Sequence, residues 1–169
     1  MIRIGTRKSA LALWQANQVK SQLEALGASA VLVPVESEGD QNLTDPLYKM
    51  GIQGIFTKTL DTALLNKKID IAVHSLKDVP TILAEGIEIS AVLSRGSSQD
   101  VIAYHPQYAV NSQKKIIVTG SLRRKAQWLR KYPDFKVENL RGNVQKRLEK
   151  LVHSSWTGAI FAQAGVERL

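Results

Sequence analysis

The chain has 169 residues, 44% apolar and 22% charged, with a net charge of +8, enough for one ordinary soluble domain or two small ones. It contains no cysteine, which excludes disulfides, a thiolate metal site and a cysteine nucleophile. No run approaches the roughly 18 apolar residues of a membrane span, and Met1-Ile2-Arg3-Ile4-Gly5 enters a strand-like pattern without a signal-peptide core, so a cytoplasmic location is expected.

Short β-branched runs alternate with helical patterns. Ile2-Arg3-Ile4 reads as a strand. Ser9 is a candidate N-cap for a helix carrying Leu13, Ala16, Val19, Leu23 and Leu26 on one face and stopping at Gly27. Val31 to Val35 is a second strand, and Pro34 places it at an edge or a strand end. Glu38-Gly39-Asp40 and Gly51-Ile52-Gln53-Gly54 read as loops. Thr57 is a candidate cap for a helix burying Leu60, Ala63 and Leu64, followed by strands at Ile69–Val73 and Ile87–Leu93. Arg95-Gly96-Ser97-Ser98 is small and polar between apolar runs and marks a boundary. The expected division is a first domain over 1–93, a hinge at 94–97 and a second domain over 98–169. Beyond it, Ile116–Val118 is a strand, Ser121 caps a helix to about Lys131, and Val137–Leu140 is a strand. Asn143 then caps a helix through Leu151, and Gly158–Ala162 is a last strand. This alternation predicts an α/β fold with largely parallel sheets.

In such sheets ligands bind beyond the carboxyl ends of the strands, close to helix N-termini. The first strand leads into Thr6-Arg7-Lys8-Ser9, and the third into His74-Ser75-Leu76-Lys77-Asp78. The strand at 116–118 leads into Thr119-Gly120-Ser121-Leu122-Arg123-Arg124, and the next into Arg141-Gly142-Asn143 with Arg147 one turn on. Charge is concentrated in the same place. Residues 1–113 hold ten Lys/Arg against eleven Asp/Glu, whereas residues 114–147 hold eleven against two. Four strand ends thus deliver cations, hydroxyls or both, beside helix N-termini that add N–H donors. Arginine forks bind carboxylates bidentately. The pattern predicts a site for a ligand with several carboxylates or phosphates, and the absence of GxxxxGK[ST] excludes a phosphate loop. Asp78 is the exception among these cations. It either neutralises Lys77 or steadies a positive charge that develops during a reaction. His74 is expected to be a structural hydrogen-bonder, and Trp14, Trp128 and Trp156 to pack apolar cores.

Several of these stretches resemble the porphobilinogen deaminase family. They are Arg3-Ile4-Gly5-Thr6-Arg7-x-Ser9-Ala10-Leu11-Ala12-Leu13-Trp14-Gln15-Ala16, Ile69-Asp70-Ile71-Ala72-Val73-His74-Ser75-Leu76-Lys77-Asp78-Val79-Pro80, Ser121-Leu122-Arg123-Arg124-x-Ala126-Gln127, Leu140-Arg141-Gly142-Asn143-Val144-x-x-Arg147-Leu148 and Ala164-Gly165-Val166-x-Arg168-Leu169. They run in the family's order over essentially the whole chain. The resemblance implies two α/β domains of the periplasmic-binding-protein (type II) kind, with mainly parallel mixed sheets and the active site in the cleft between them. It implies stepwise condensation of four porphobilinogen molecules, with release of ammonia, into linear hydroxymethylbilane. The growing product is extended on a dipyrromethane cofactor, and no metal takes part. Arg7, Ser9, Lys77, Arg123, Arg124, Arg141, Arg147 and Arg168 would bind cofactor and substrate carboxylates. Thr119 and Ser121 would add hydroxyls, Phe56 would be a loop contact, and Asp78 would be the catalytic carboxylate. The implied partners are porphobilinogen and polypyrrole carboxylates, not nucleic acid or membrane. A monomer passing its product to uroporphyrinogen-III synthase is expected.

The chain also departs from that family. Gly51-Ile52-Gln53-Gly54 replaces the usual Gly-Gly-Lys-Gly, and Gly120 replaces a serine. The family's third domain, with the cysteine that anchors the cofactor, has no counterpart here, nor does the segment that returns to complete the first domain. A fragment unable to turn over alone is therefore expected. The competing readings are a non-enzymatic small-anion-binding domain of the same architecture and a nucleic-acid binder prompted by the basic segment. Lys77-Asp78 and the doubled Arg123-Arg124 weigh against the first, and the scarcity of interleaved aromatics against the second.

Overall fold

A computed structural model describes residues 1–36, 57–107 and 115–169. The described residues form two compact units, the first running to Ser94 and the second starting at Arg95. The α/β architecture with mainly parallel sheets that the sequence predicts is present in both.

In the first unit β1 (Ile2–Arg7) is the middle of a three-stranded sheet, with β2 (Ala30–Val35) on one side and β3 (Ile71–Ala72) on the other. All pairings are parallel, with Ile4 opposite Leu32 and Ile71. Pro34 falls on the edge strand, where its missing N–H costs no ladder bond. Strand alternation sends the two sets of side chains to opposite faces. Ile4, Ala30, Leu32 and Ile71 pack with Ala16, Val19 and Leu23 of α1 (Ala10–Ala25). Val33, Val35 and Ala72 pack with Leu60, Ala63 and Leu64 of α2 (Lys58–Leu65) and with Ile69. Gly5 lies under that second layer. A Cβ there would come within 2.2 Å of Ile69 Cδ1 and 2.9 Å of Leu60 Cδ2, so glycine is what lets α2 approach.

Three local expectations change. Thr57 is buried and precedes α2, but its side chain makes no cap bond; its carbonyl accepts from Asp61 N–H at 2.8 Å instead. The third strand contracts to two residues because Ile69 turns inward to fill the core. Ile87–Leu93 forms no strand, and Ile89, Val92 and Leu93 are exposed. The run has strand composition, but a strand persists only where a neighbour takes up its backbone hydrogen bonds, and no described strand does so here.

The second unit is a four-stranded mixed sheet in the order β4 (Asp100–Tyr104), β7 (Gly158–Ala162), β5 (Ile116–Val118), β6 (Lys136–Glu138). β4 runs antiparallel to β7, and the other pairings are parallel. β4 is absent from the strands expected above, because Asp100 opens it and polar residues close on both sides. Ala159 and Phe161 of β7 and Val118 of β5 form the core with Leu140 and with Leu151 of α4 (Val144–Val152). α3 (Leu122–Lys131) buries no residue fully. It is held partly by Trp128, whose ring lies 4.5 Å from that of Tyr132 and 5.4 Å from that of Phe135. Trp156 packs on the core and donates its indole N–H to Glu138 Oε2 at 2.9 Å. A short helix α5 (Gln163–Val166) closes the chain. No helix among the described residues is long and apolar enough to cross a membrane.

Candidate functional site

Within each unit the candidate residues lie where strands end and helices begin. In the first unit, Arg7 closes β1 and Ser9 caps α1, its hydroxyl accepting from Ala12 N–H at 3.3 Å. Thr6 between them is fully buried and donates to the Ala12 carbonyl at 3.1 Å, tying the strand end to the helix start. Beyond β3, Ser75 precedes a 3₁₀ turn over Leu76–Asp78. Ser75 Oγ donates to Gln15 Oε1 of α1 at 3.0 Å, so the turn carrying Asp78 is fastened to the helix that follows Arg7. Asp78 is largely covered, with its side chain 18% exposed, whereas Lys77 is 77% exposed and donates to Asp78 Oδ1 at 2.7 Å. The lysine expected to meet a ligand carboxylate therefore meets Asp78.

His74 belongs to the same group. Burial pushes its imidazole below the ordinary 6.5, opposed by the charges of Asp61 and Asp78 and reinforced by Arg7. The charges that reach this ring come from the end of β1, the first turn of α2 and the turn after β3.

In the second unit, Thr119 follows β5 and is buried, with its N–H bonded to the Glu138 carbonyl at 3.1 Å. Its hydroxyl accepts from Ser121 N–H at 3.2 Å, and Ser121 caps α3 by accepting from Arg124 N–H at 3.4 Å. After β6, Leu140 and Arg141 are buried, Gly142 takes φ +114°, and Asn143 caps α4 by accepting from Lys146 N–H at 2.9 Å. Only glycine adopts that φ without strain, and the resulting sharp turn starts the helix. Arg147 then folds back, its Nε donating to the Gly142 carbonyl at 2.7 Å. Burial lowers the pKa of Arg147, and the charges of Arg141 and Arg124 lower it further. The charges of Arg141 and Arg124 thus reach Arg147 at the starts of two helices, where an anion is favoured.

Arg124 is held by Asp100 of β4 through two hydrogen bonds, Nε–Oδ2 at 2.8 Å and Nη2–Oδ1 at 2.6 Å. Arg123 is exposed on the first turn of α3. Arg168 lies over Gly96, with Nη2 2.5 Å from where a Cβ would stand, and near Ala164. Phe56 and the 51–54 loop lie outside the described residues. Sequence reasoning passed over Gln15, Asp100 and Lys150, whose Nζ donates to the Arg141 carbonyl at 3.1 Å. Asp100 had one available signal: it is the last acid before a strongly basic stretch.

Residues 2–169 match the family described as porphobilinogen deaminase, dipyromethane cofactor binding domain. A protein of Methanocaldococcus jannaschii named "Probable porphobilinogen deaminase" is 46% identical over 170 residues, covering 100% of this chain and 58% of its own length. The porphobilinogen deaminase of Desulfitobacterium hafniense is 47% identical over 99% of this chain and 56% of its own length. That of Syntrophotalea carbinolica is 44% identical over 99% and 55%. The chain thus spans somewhat over half the length of these curated relatives. Among solved structures, a mutant of ArgBP from T. maritima covers 98% of this chain and 69% of its own at a TM-score of 0.40 and 13% identity, too slight a likeness to argue from. The family match and three relatives of 44–47% identity along nearly the entire chain establish that it belongs to the porphobilinogen deaminase family.

Proposed function

We propose that this chain is the cofactor- and substrate-binding portion of a cytoplasmic hydroxymethylbilane synthase. That enzyme joins four porphobilinogen molecules, with loss of ammonia, into linear hydroxymethylbilane for tetrapyrrole biosynthesis. The observation that carries the proposal is the shared neighbourhood of Arg124, Arg141 and Arg147 at the helix starts capped by Ser121 and Asn143. Porphobilinogen carries an acetate and a propionate, so a growing chain of such rings is polyanionic. Arg141 and Arg147, with the N–H groups of the two helix starts, would hold those carboxylates. Arg7 and the Ser9-capped helix start would hold others in the first unit.

Asp78 has a different task. Loss of ammonia from porphobilinogen breaks a carbon–nitrogen bond and leaves an azafulvenium cation. The largely covered Asp78 carboxylate supplies fixed negative charge for that cation without reorganising as it forms. Lys77 holds one of its oxygens, and the Ser75–Gln15 hydrogen bond fixes the turn that carries it.

The residues present suit the carboxylates of a dipyrromethane cofactor, which when bound supplies the terminal pyrrole for extension. The thioether anchor of that cofactor requires a cysteine, and this chain has none. Incubation of the purified chain with porphobilinogen, followed by ammonia release and tetrapyrrole formation, is expected to show binding without repeated turnover. Extension to the length of the relatives is expected to give turnover. Multiple turnovers by the chain alone would contradict the anchoring argument.

A further inference from the structure

The first turn of α3 runs against the usual chemistry of a helix start. That end of a helix carries partial positive charge and favours acids. Behind a serine cap, the third residue is often a glutamate or glutamine that reaches back to the N–H of the cap. Here Arg123 and Arg124 stand second and third, and the turn holds no acid. Two groups from outside the helix offset this. Thr119 Oγ1 accepts from the N–H of Ser121 at 3.2 Å, the bond that a glutamate at 124 would otherwise make. Asp100, at the beginning of β4, supplies the missing negative charge. Its Oδ2 accepts from Arg124 Nε at 2.8 Å and its Oδ1 from Nη2 at 2.6 Å. No residue of α3 is fully buried, so this fork ties its first turn to the edge strand of the sheet.

The pairing also divides the guanidinium. Nε and Nη2 are committed to Asp100, and Nη1 makes no hydrogen bond among the described residues. The Arg124 side chain keeps 24% exposure, and its charge reaches Arg147. We propose that Asp100 is a positioning residue: it fixes Arg124 by one edge and leaves the Nη1 amino group, in a set place, for a carboxylate of the ligand. The proposal rests on the reading of Arg124, Arg141 and Arg147 as carboxylate binders. Arginine is among the side chains that lose most rotamer freedom when held. Asp100 removes that freedom before the ligand arrives, so binding does not have to. A binding constellation tolerates displacements of only about 0.5 Å, and an arginine released from its partner wanders further than that.

The test titrates the 169-residue chain with porphobilinogen by calorimetry and measures the melting temperature of each variant. The variants are Arg124→Gln, Asp100→Asn and the exchanged pair, Asp100→Arg with Arg124→Asp. Arg124→Gln and Asp100→Asn are each expected to weaken binding about tenfold. The exchange rebuilds the ion pair between β4 and α3 and puts an acid where the helix start favours one. Its melting temperature is expected to match or exceed that of the parent, while its affinity stays about tenfold down because the cation at 124 is gone. Recovery of affinity in the exchange would show that the tie alone matters and overturn the proposal. Parental affinity in Asp100→Asn would also overturn it, with the carboxylate reading left standing. A parent that does not bind porphobilinogen, or an Arg124→Gln variant that binds as the parent does, would remove the carboxylate role of Arg124 and this proposal with it. Should Asp100→Asn fail to fold, Asp100→Glu takes its place. That variant keeps the charge and the tie but moves the guanidinium by the length of a methylene. Its melting temperature is expected near the parent's and its affinity several-fold lower, and parental affinity would overturn the proposal.

Discussion

The two units place helix caps after strand ends in the same way, with Ser9 in one and Ser121 and Asn143 in the other, but they equip those ends differently. The first unit offers a covered carboxylate, Asp78, with its lysine partner in solvent and a partly buried imidazole behind it. The second buries its cations: Arg141 is 7% exposed, and burial together with its neighbours' charge lowers the pKa of Arg147. Burying like charges together is costly unless an opposite charge joins them. Asp100 supplies such a charge to Arg124. The contrast separates two tasks. On the proposed reading the second unit would hold anions, and the first would steady a cation that exists only during reaction.

Asp78→Asn tests that separation most severely. In a chain extended to the length of its relatives, the variant keeps size and removes charge. Turnover is expected to fall roughly 10²–10³-fold, about 3–4 kcal/mol of barrier, while carboxylate binding by the second unit is unchanged. Steady-state rates and calorimetric affinities measured together check it, and a parallel loss of binding would erase the division of labour.

A smaller effect belongs to the sheet beneath Asp78. Arg3 donates to Asp70 from its backbone N–H at 2.7 Å, its Nε at 3.0 Å and its Nη2 at 2.7 Å. The side-chain bonds foremost, then the backbone bond, hold the Asp70 carboxyl at about 2 rather than its ordinary 3.8. The folded chain thus binds this proton less readily than the unfolded one. The pair's contribution is full above the ordinary value and is lost as pH falls through about 2. Because the pair is exposed, Asp70→Asn is expected to lower the melting temperature only slightly at pH 7, with the difference from the parent shrinking through this acid window. A difference independent of pH would show that the pair acts through packing.

The helix starts were the most legible part of the sequence, because a cap is a local device. Ser9, Ser121 and Asn143 each accept the hydrogen bond that their position implies. What sequence could not supply depended on partners distant along the chain. Strand composition alone marked Ile87–Leu93, but no described neighbour completes a ladder, whereas β4 exists because β7 pairs with it in register. The arginines at strand ends were readable as a set. That Asp100 holds Arg124, that Lys77 turns onto Asp78 and that Arg168 lies over Gly96 follows from packing. The family was legible from motifs, yet the partial burial that lowers the pKa of Arg147 was not.

The most direct test of the central claim, that Arg141 and the partly buried Arg147 of the second unit bind carboxylates, is calorimetric titration of the chain and of Arg147→Gln with porphobilinogen at rising salt. The parent is expected to bind with an affinity that falls as salt screens the charges. Arg147→Gln should bind about ten- to a hundredfold more weakly, as the loss of a charged hydrogen-bonding partner implies. Binding that neither salt nor the removal of Arg147 changes would contradict the account.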